Sequence, residues 1–338
     1  MPIILLTGAG ASAPLGYPTT TTFFGSPPEN PGWTNDTWNL FLDLFVGEKG
    51  LLGTDTTVDV ENVLQFLDDS ATLFEGHAGA FVKKHAGASW AQLLSQIKTL
   101  ILHRCFSVYG KQISFDDVAR LYQPLLDLLD CHRRPVSLFT TNYDPVPDKL
   151  MAWAVKKGLP AYDGFDGRLH WNPRGYDDLD RGLGIYRLHG ALSWIHEGNR
   201  VKNTRIYDRV PRTLIEYVLI YPGSRENPED EAEAVFPFLH QAFKRKLSQA
   251  TLLLVIGFSF RDPCLNKVLE SSLRENKKLN LFLVLPHLPS GPDVGLQSLM
   301  SAFQPRIEHF AVHFGDPRNH EGEKTLRSLY EALGRFVE

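Results

Sequence analysis

The sequence predicts an α/β fold with a doubly wound, mostly parallel sheet and a helical insert. Three observations lead to this fold class. The chain starts with an apolar strand that runs into a glycine-rich turn, a long helical stretch follows, and short apolar strand patterns then alternate with helical patterns. Such alternation is typical of parallel sheets, because each crossover helix returns the chain to the same edge.

The first predicted strand covers residues 3–7, and residues 8–12 then read Gly-Ala-Gly-Ala-Ser. An apolar run of this length indicates a strand that is buried on both faces. Gly8 and Gly10 permit backbone angles and close approaches that a side chain would prevent. Two interpretations stay open: the turn presents N–H groups to a pyrophosphate, with Ser12 capping the next helix, or it is an ordinary strand-to-helix turn.

The region after the first turn contains the predicted insert. Residues 17–36 are rich in Thr, Pro, Gly and Asn, which predicts a long loop, either a lid over the glycine-rich turn or a poorly ordered surface loop. Residues 37–131 repeat apolar side chains at helical spacing, as in residues 117–131. We therefore predict a helical insert over residues 37–131 within one domain that spans residues 1–338.

Strand patterns resume after the insert, and each ends at a glycine, a proline or a polar residue. Asp262 and Pro263 form a typical helix start, with the acid as N-cap and the proline in the first turn. The helical patterns cover residues 236–247, 262–275 and 324–336. The predicted strands are residues 136–140, 185–188, 219–221, 251–256, 281–285 and 310–314.

Composition limits the class of protein. Hydrophobic content of 43% and charged content of 22% are ordinary for a globular chain, and a net charge of −4 gives no support for direct nucleic-acid binding. We expect a cytoplasmic protein, because no apolar stretch is long enough to span a membrane and a core strand leaves no room for a signal peptide. Cys105, Cys131 and Cys264 form no Cys-x-x-Cys pair, so we expect buried free thiols and no zinc ribbon.

Polar or glycine-rich residues follow four of the predicted strands, and ligands of open α/β sheets bind outside the carboxyl ends of the strands. We expect these segments to converge on one edge. Each has an ordinary alternative: Asn142 and Asp144 as a turn or helix cap, and His189 as a core histidine. Gly257 and Ser259 have the alternative of a routine turn. The four segments are residues 8–12, 140–144, 189–190 and 257–259.

Three of these segments resemble sirtuin motifs in order and rough spacing. They are Gly-Ala-Gly-Ala-Ser at residues 8–12, Thr-Thr-Asn-Tyr-Asp at 140–144 and Leu-His-Gly at 188–190. Gly-Phe-Ser-Phe-Arg-Asp-Pro at 257–263 and Tyr-Pro-Gly-Ser at 221–224 are similar to a divergent bacterial branch of this superfamily. Several members of that branch are NAD hydrolases of anti-phage defence. The resemblance implies a Rossmann-like sheet.

The departures from the sirtuin pattern concern the substrate. Sirtuin deacylases carry a zinc ribbon with two cysteine pairs after the His-Gly motif, whereas residues 194–218 here look like a short polar β excursion without cysteine. The Asp-Phe-Arg segment of the deacylases corresponds to residues 19–24, which lack the arginine. With no ribbon there is no evident peptide groove, so the acceptor of the ADP-ribosyl group shifts from acetyl-lysine towards water.

The resemblance implies that NAD⁺ binds across the strand ends as substrate and is cleaved to ADP-ribose and nicotinamide, without a metal. Asn142 would position the nicotinamide ribose or the attacking water, and His189 would be the general base. Asp144 would accept a hydrogen bond from the carboxamide. The residues expected to bind NAD⁺ are Gly8, Ala9, Gly10 and Ser12 at the pyrophosphate, Gly257 and Ser259 near the adenosine half, and Thr141 and Asp144.

An enzyme that destroys NAD⁺ needs control. The family analogy predicts control by self-assembly into a homo-oligomer, or by a partner such as a ring-shaped DNA-translocating ATPase or an Argonaute-type protein. Three alternatives stay open: an NAD⁺- or ADP-ribose-binding module without turnover, a protein deacylase or ADP-ribosyltransferase, and a dehydrogenase-like protein. The last would need an acidic residue near the ribose, and Glu29 has the required spacing but lies in the predicted loop.

Overall fold

The fold is described from a computed structural model that covers residues 3–19, 113–131, 134–207, 217–220, 234–286, 288 and 295–311. Most of the predicted loop, residues 37–112 of the predicted insert and the predicted C-terminal helix lie outside the described residues. The strands, numbered in chain order, are β1 (Ile3–Thr7), β2 (Val136–Thr140), β3 (Ala161–Tyr162), β4 (Leu183–Arg187), β5 (Gly190–Glu197), β6 (Arg200–Asn203), β7 (Tyr217–Leu219), β8 (Leu252–Ile256), β9 (Asn280–Val284) and β10 (Ile307–Phe310).

Seven strands form one parallel sheet in the order β10-β9-β8-β1-β2-β4-β3. The chain builds one half outwards from β1 through β2 and β4, and the other half through β8, β9 and β10. The order therefore reverses between β1 and β8, which is the switch point at which such sheets bind ligands. The predicted Rossmann-like α/β class is confirmed. The strand predicted at residues 310–314 begins earlier, since β10 is Ile307–Phe310, and residues 312–314 lie outside the described residues.

The helices are α1 (Phe115–Cys131), α2 (Val146–Lys156), α3 (Val235–Leu247), α4 (Pro263–Glu275) and α5 (Gly295–Phe303). The three described helices that the sequence predicted, α1, α3 and α4, are confirmed. The strands β1, β2, β4, β8 and β9 are mostly apolar and almost fully buried, and the inward faces of α3 and α4 pack into the same core through Phe236, Phe243, Leu265 and Leu269. None of the helices within the described ranges combines the length and apolar character needed to span a membrane.

A second, antiparallel sheet has the order β6-β5-β7. The prediction of residues 219–221 as a strand of the main sheet was wrong, because β7 pairs with β5 here. The physical reason is the two-residue link between β4 and β5, which is too short for a crossover to a parallel strand. Gly190 has φ 79° and a Cβ there would lie 2.2 Å from the Val218 carbonyl oxygen, so its close approach is to β7.

Buried charges join the antiparallel sheet to the main sheet. Arg187, at the end of β4, is 2% exposed and donates to Asp148 of α2, to Tyr207 and to the Asp144 carbonyl oxygen. Arg205, which follows β6, binds the same Asp148 at 2.8 Å. Because two cations share one carboxylate, the chain after β6 is fixed to the end of β4.

The one cysteine whose side chain is described departs from expectation. Cys264 is a free thiol, but it is half-buried in the first turn of α4 and not fully buried as predicted. The first turn of a helix has few covering neighbours, which accounts for the exposure. Cys105 and the side chain of Cys131 lie outside the described parts of the chain.

Candidate active site

The strand register places the four predicted segments side by side. Thr7 of β1 pairs with Thr140 of β2 and with Ile256 of β8, and Thr140 pairs with Arg187 of β4. These four residues form one row across β8, β1, β2 and β4. The four polar or glycine-rich segments begin at this row or within two residues after it, at the switch point. The predicted convergence on one edge is confirmed.

The glycines at the ends of β1 and β8 pack against each other. A Cβ on Gly8 would lie 2.7 Å from the Gly257 carbonyl oxygen, and one on Gly257, whose φ is 61°, would lie 2.2 Å from the Ala11 nitrogen. Gly8 and Gly10 donate their N–H groups to the carbonyls of Ile256 and Gly257, both at 3.0 Å. These positions therefore need glycine for the contact between the two turns, whatever they bind.

Ser12 does not cap a helix with its side chain, contrary to the sequence-based expectation. Its hydroxyl donates instead to Asp144 Oδ2 at 2.7 Å, because a buried carboxylate is the stronger acceptor. Asp144 is 1% exposed, and its Oδ1 accepts the Val146 N–H at 2.9 Å. Burial raises the pKa of Asp144, although the bonds from Ser12 and Val146 oppose this shift. Both carboxylate oxygens of Asp144 thus accept hydrogen bonds from other groups of the protein.

Asn142 connects β2 to the glycine-rich turn. Its side-chain nitrogen donates to the Gly8 carbonyl at 2.9 Å and to Ser12 Oγ at 3.2 Å. The side chain is half-buried, and its backbone N–H is held by Thr140 Oγ1 at 3.1 Å. The amide nitrogen is therefore used to position the turn, and the amide oxygen is the atom that this arrangement directs as an acceptor.

His189 lies between the two sheets. It follows β4, and its carbonyl accepts the Ile220 N–H at 3.1 Å next to β7. Its Nε2 lies 3.0 Å from Asp262 Oδ2, and the exposed fractions of the two side chains are 13% and 20%. The imidazole is therefore held at the edge of the site while part of it stays accessible.

Asp262 uses both carboxylate oxygens. Oδ1 accepts the N–H groups of Cys264 and Leu265 at 2.8 and 2.9 Å, which confirms the predicted N-cap of α4. Burial by itself raises the pKa of Asp262, but the bond to His189, the charge of His189 and the Leu265 N–H outweigh it, so the pKa is lowered. The contact with His189 was not predicted, since β4 and β8 are not neighbours in the sheet.

The turn that carries Asp262 contains a strained residue. Phe260 has φ 59°, a left-handed conformation that is unfavourable for a bulky side chain. It is held there by complete burial of its ring and by Asn266 Nδ2, which donates to its carbonyl at 2.6 Å. Non-glycine residues in this conformation cost about 1–3 kcal/mol and cluster at functional sites. This conformation turns the chain after Gly257, and Asp262 then lies next to His189.

A second histidine adjoins this pair and escaped the sequence analysis. His240 of α3 is 7% exposed, and burial followed by the nearby His189 lowers its pKa to about 4. Within the described residues its Nε2 has no hydrogen-bond partner. The signal in the sequence was one histidine on the otherwise apolar inward face of α3. At neutral pH it adds no positive charge beside Asp262.

Four other residues predicted to bind NAD⁺ are partly accessible. Ala9 and Gly10 are half-buried, as are Thr141 and Ser259. Thr141 donates its N–H to the Thr7 carbonyl at 3.1 Å. Among the residues that the structure describes, no three His, Cys, Asp or Glu side chains group together as they would around a metal ion. The accessible part of the edge is thus the turn surface, Asn142 and the imidazole of His189.

The comparison with protein families covers most of this site. Residues 136–298 match a family model described as a SIR2-like domain. The SIR2-like region includes Asn142, His189 and Asp262, whereas β1 and the glycine-rich turn lie before it. No curated protein matches the chain.

Solved structures similar to the chain include Sir2 proteins. A mutant Sir2 homologue in complex with ADP-ribose shares 14% identity, with a TM-score of 0.46 over 98% of this chain and 93% of that chain. A Sir2 homologue–NAD complex shares 14% identity, with a TM-score of 0.44 over 99% and 90%. Sir2Tm bound to a propionylated peptide shares 13% identity, with a TM-score of 0.43 over 98% and 93%.

Proposed function

We propose that the chain is an NAD⁺ hydrolase that cleaves the bond between nicotinamide and ribose. One observation carries the proposal. Thr140 of β2 pairs with Arg187 of β4, and Asn142 and His189 each lie two residues beyond this pair, beside the switch point. Adjacent strands are about 4.8 Å apart, so the two residues leave neighbouring strands at the same end of the sheet, where we propose that one reacting group lies between them. The SIR2-like match over residues 136–298 supports NAD⁺ as the substrate.

The chemistry suits an amide and an imidazole. Cleavage leaves the electron pair of the C–N bond on nicotinamide and builds positive charge on the ribose, after which a water oxygen bonds to the same carbon. The protein must orient the ribose and accept the proton of the water. Asn142 would orient the ribose or the water through its amide oxygen, and His189 would accept the proton.

The glycine-rich turn would bind the pyrophosphate. Ala9 and Gly10 lie at its accessible surface, whereas Gly8 is buried and would shape the turn. Ser12 and Asp144 are each about 1% exposed. We therefore propose that they support the turn from below and do not contact the carboxamide directly. The remaining expected contacts are Thr141 beside the turn and Gly257 and Ser259 near the adenosine half.

The cellular role follows from the resemblance of residues 257–263 to the defence branch. We propose a toxic NAD-depleting effector of bacterial anti-phage defence that acts in the cytoplasm. Its activity would be controlled by homo-oligomer assembly or by a ring-shaped DNA-translocating ATPase or Argonaute-type partner.

The test is nicotinamide release from NAD⁺ by the purified chain at several protein concentrations. Wild type is compared with Asn142→Ala and His189→Ala, and with His170→Ala as a matched control, since His170 lies on another part of the surface. We expect release by wild type and the control and its loss in the two site variants. A steep dependence on protein concentration would indicate activation by assembly.

Two other functions give different results in the same experiment. A binding module without turnover would bind NAD⁺ in calorimetry and release no nicotinamide at any concentration. A deacylase or ADP-ribosyltransferase would release nicotinamide only with an acceptor, and labelled NAD⁺ would transfer its label to that acceptor. Free ADP-ribose as the product identifies the hydrolase.

A further inference from the structure

We propose that Asp262 is a positioning residue for His189: it holds the imidazole with its proton on Nε2, so that Nδ1 is the nitrogen that accepts a proton. The orientation of the ring is a property of the folded chain. The use of Nδ1 as a base rests on the proposed function.

The first argument concerns which atom carries the hydrogen between the two side chains. Asp262 Oδ1 accepts two backbone N–H groups at the start of α4, where the helix dipole also favours negative charge. An ionised carboxylate is only an acceptor. The 3.0 Å contact of Oδ2 with His189 therefore requires a hydrogen on Nε2, and the neutral ring then has its lone pair on Nδ1.

The second argument concerns rigidity. The cap fixes one carboxylate oxygen to the backbone of α4, and the buried left-handed Phe260 fixes the turn before it. Oδ2 is thus aimed at His189 by a rigid element, which is what an orienting group requires. On the other side, the His189 carbonyl accepts the Ile220 N–H beside the antiparallel sheet, and the preceding Leu188 donates its N–H to Thr140 of the main sheet.

The third argument separates this role from helix capping alone. A cap needs one side-chain oxygen, and Ser, Thr or Asn supplies it as well as Asp. The second oxygen of Asp262 is used instead on a residue 73 positions away in the chain. His240 of α3, a titratable group close to the pair, is uncharged at neutral pH and does not compete for the carboxylate.

Two substitutions at this position separate the roles, because both new residues still cap α4. In Asp262→Asn the amide oxygen caps and the amide nitrogen faces His189, so Nε2 must accept and the proton moves to Nδ1. In Asp262→Ser the cap stays and the contact with His189 is lost. Glu197→Gln, at the His170–Glu197 contact of 2.8 Å, is the matched control.

The first measurement is long-range ¹⁵N–¹H NMR of imidazole-labelled protein, which reports the tautomer without any turnover. We expect Nε2–H in wild type and in Glu197→Gln, and Nδ1–H in Asp262→Asn. A wild-type His189 that exchanges freely between tautomers, or one unchanged in a folded Asp262→Asn, would overturn the proposal. A chain that hydrolyses no NAD⁺ would contradict the proposed function and leave this result intact.

The second measurement is the kinetics of nicotinamide release. A wrong tautomer removes the base while substrate contacts stay, so we expect kcat of Asp262→Asn to fall about 10²- to 10⁴-fold with KM nearly unchanged. Asp262→Ser should fall less, about tenfold, because its ring still samples the productive tautomer. Equal losses in both variants, together with a matching loss of thermal stability, would indicate a structural role only and refute the proposal.

Discussion

The described part of the chain contains two imidazole–carboxylate contacts of similar length in different surroundings. Nε2 of His189 lies 3.0 Å from Asp262, and Nε2 of His170 lies 2.8 Å from Glu197. Glu197 is 48% exposed, extends from the end of β5 and also binds Lys202. Asp262 is anchored to a helix start and its partner to two sheets. The distance between the two atoms therefore does not distinguish the two contacts, whereas the elements that hold the side chains do.

The difference follows from solvent and side-chain entropy. An exposed ion pair gains little in water, because it must restrict two flexible side chains and salt screens it. A half-buried carboxylate with both oxygens bonded, as in Asp262, keeps one orientation at little further entropic cost. The His189–Asp262 contact, here called the inner pair, can therefore hold the imidazole in one orientation. The His170–Glu197 contact, the outer pair, is a surface contact.

The largest expected effect comes from removing the imidazole of His189. His189→Ala should lower kcat for NAD⁺ cleavage about 10²- to 10⁴-fold, because it removes the group that we propose as general base. His170→Ala should leave kcat unchanged, since its contact lies away from the switch point. Steady-state nicotinamide release measures both. Equal losses in the two variants would mean that the two contacts are not functionally different.

The second prediction concerns the buried histidine beside the inner pair. The pKa of His240 is about 4 in the folded state, below the value of about 6.5 in the unfolded state, so the folded state is favoured while the imidazole is uncharged. This contribution to the free energy of unfolding, about 3 kcal/mol, is complete above pH 6.5 and is lost as the pH falls towards 4. His240→Leu should remove most of that loss. Urea unfolding at pH 7 and pH 4.5 measures it, and parallel curves for both proteins would contradict the prediction.

The third prediction tests the rigidity of the turn that carries Asp262. Gly257→Ala should destabilise the fold by about 2 kcal/mol or more, because the new Cβ meets the backbone of Ala11 at a positive φ. Gly158→Ala is the matched control, with φ 73° and nothing within 4 Å of its Cβ. The control should cost only the conformational term of about 1 kcal/mol. Equal denaturation midpoints would show that the turn can adjust.

The smallest effect is expected at the outer pair. Glu197→Gln should leave the thermal midpoint unchanged within error, since Glu197 is exposed and its lowered pKa comes first from Lys202 and then from His170. Differential scanning calorimetry at low and high salt measures this. A drop as large as that of Gly257→Ala would erase the distinction between the two contacts.

The sequence predicted those parts of the site that depend on local pattern. Apolar runs identified β1, β2, β4 and β8, and parallel topology then brought their carboxyl ends together, because strand ends in such a sheet share an edge. The sequence pattern therefore predicts that Asn142 and His189 lie at one edge of the sheet. Asp262 was placed correctly as a helix cap for the same local reason.

The rest depends on contacts between distant segments. The bond from Asp262 to His189 links two strands with β1 and β2 between them, so neither register nor spacing indicates it. Ser12 was expected to cap a helix, and its bond to Asp144 spans 132 positions. The antiparallel β7 was assigned to the wrong sheet because an apolar run of three residues does not specify its partner strand.

The contact between α1 and the glycine-rich turn has a mechanical consequence. Tyr122 of α1 is buried, and its hydroxyl donates to the Ala11 carbonyl at 3.3 Å. The helix that ends the predicted insert therefore bears directly on the loop that closes against β8. Any displacement of this helix would therefore shift the Ala11 carbonyl and the turn that carries it, without any contact at the strand ends themselves.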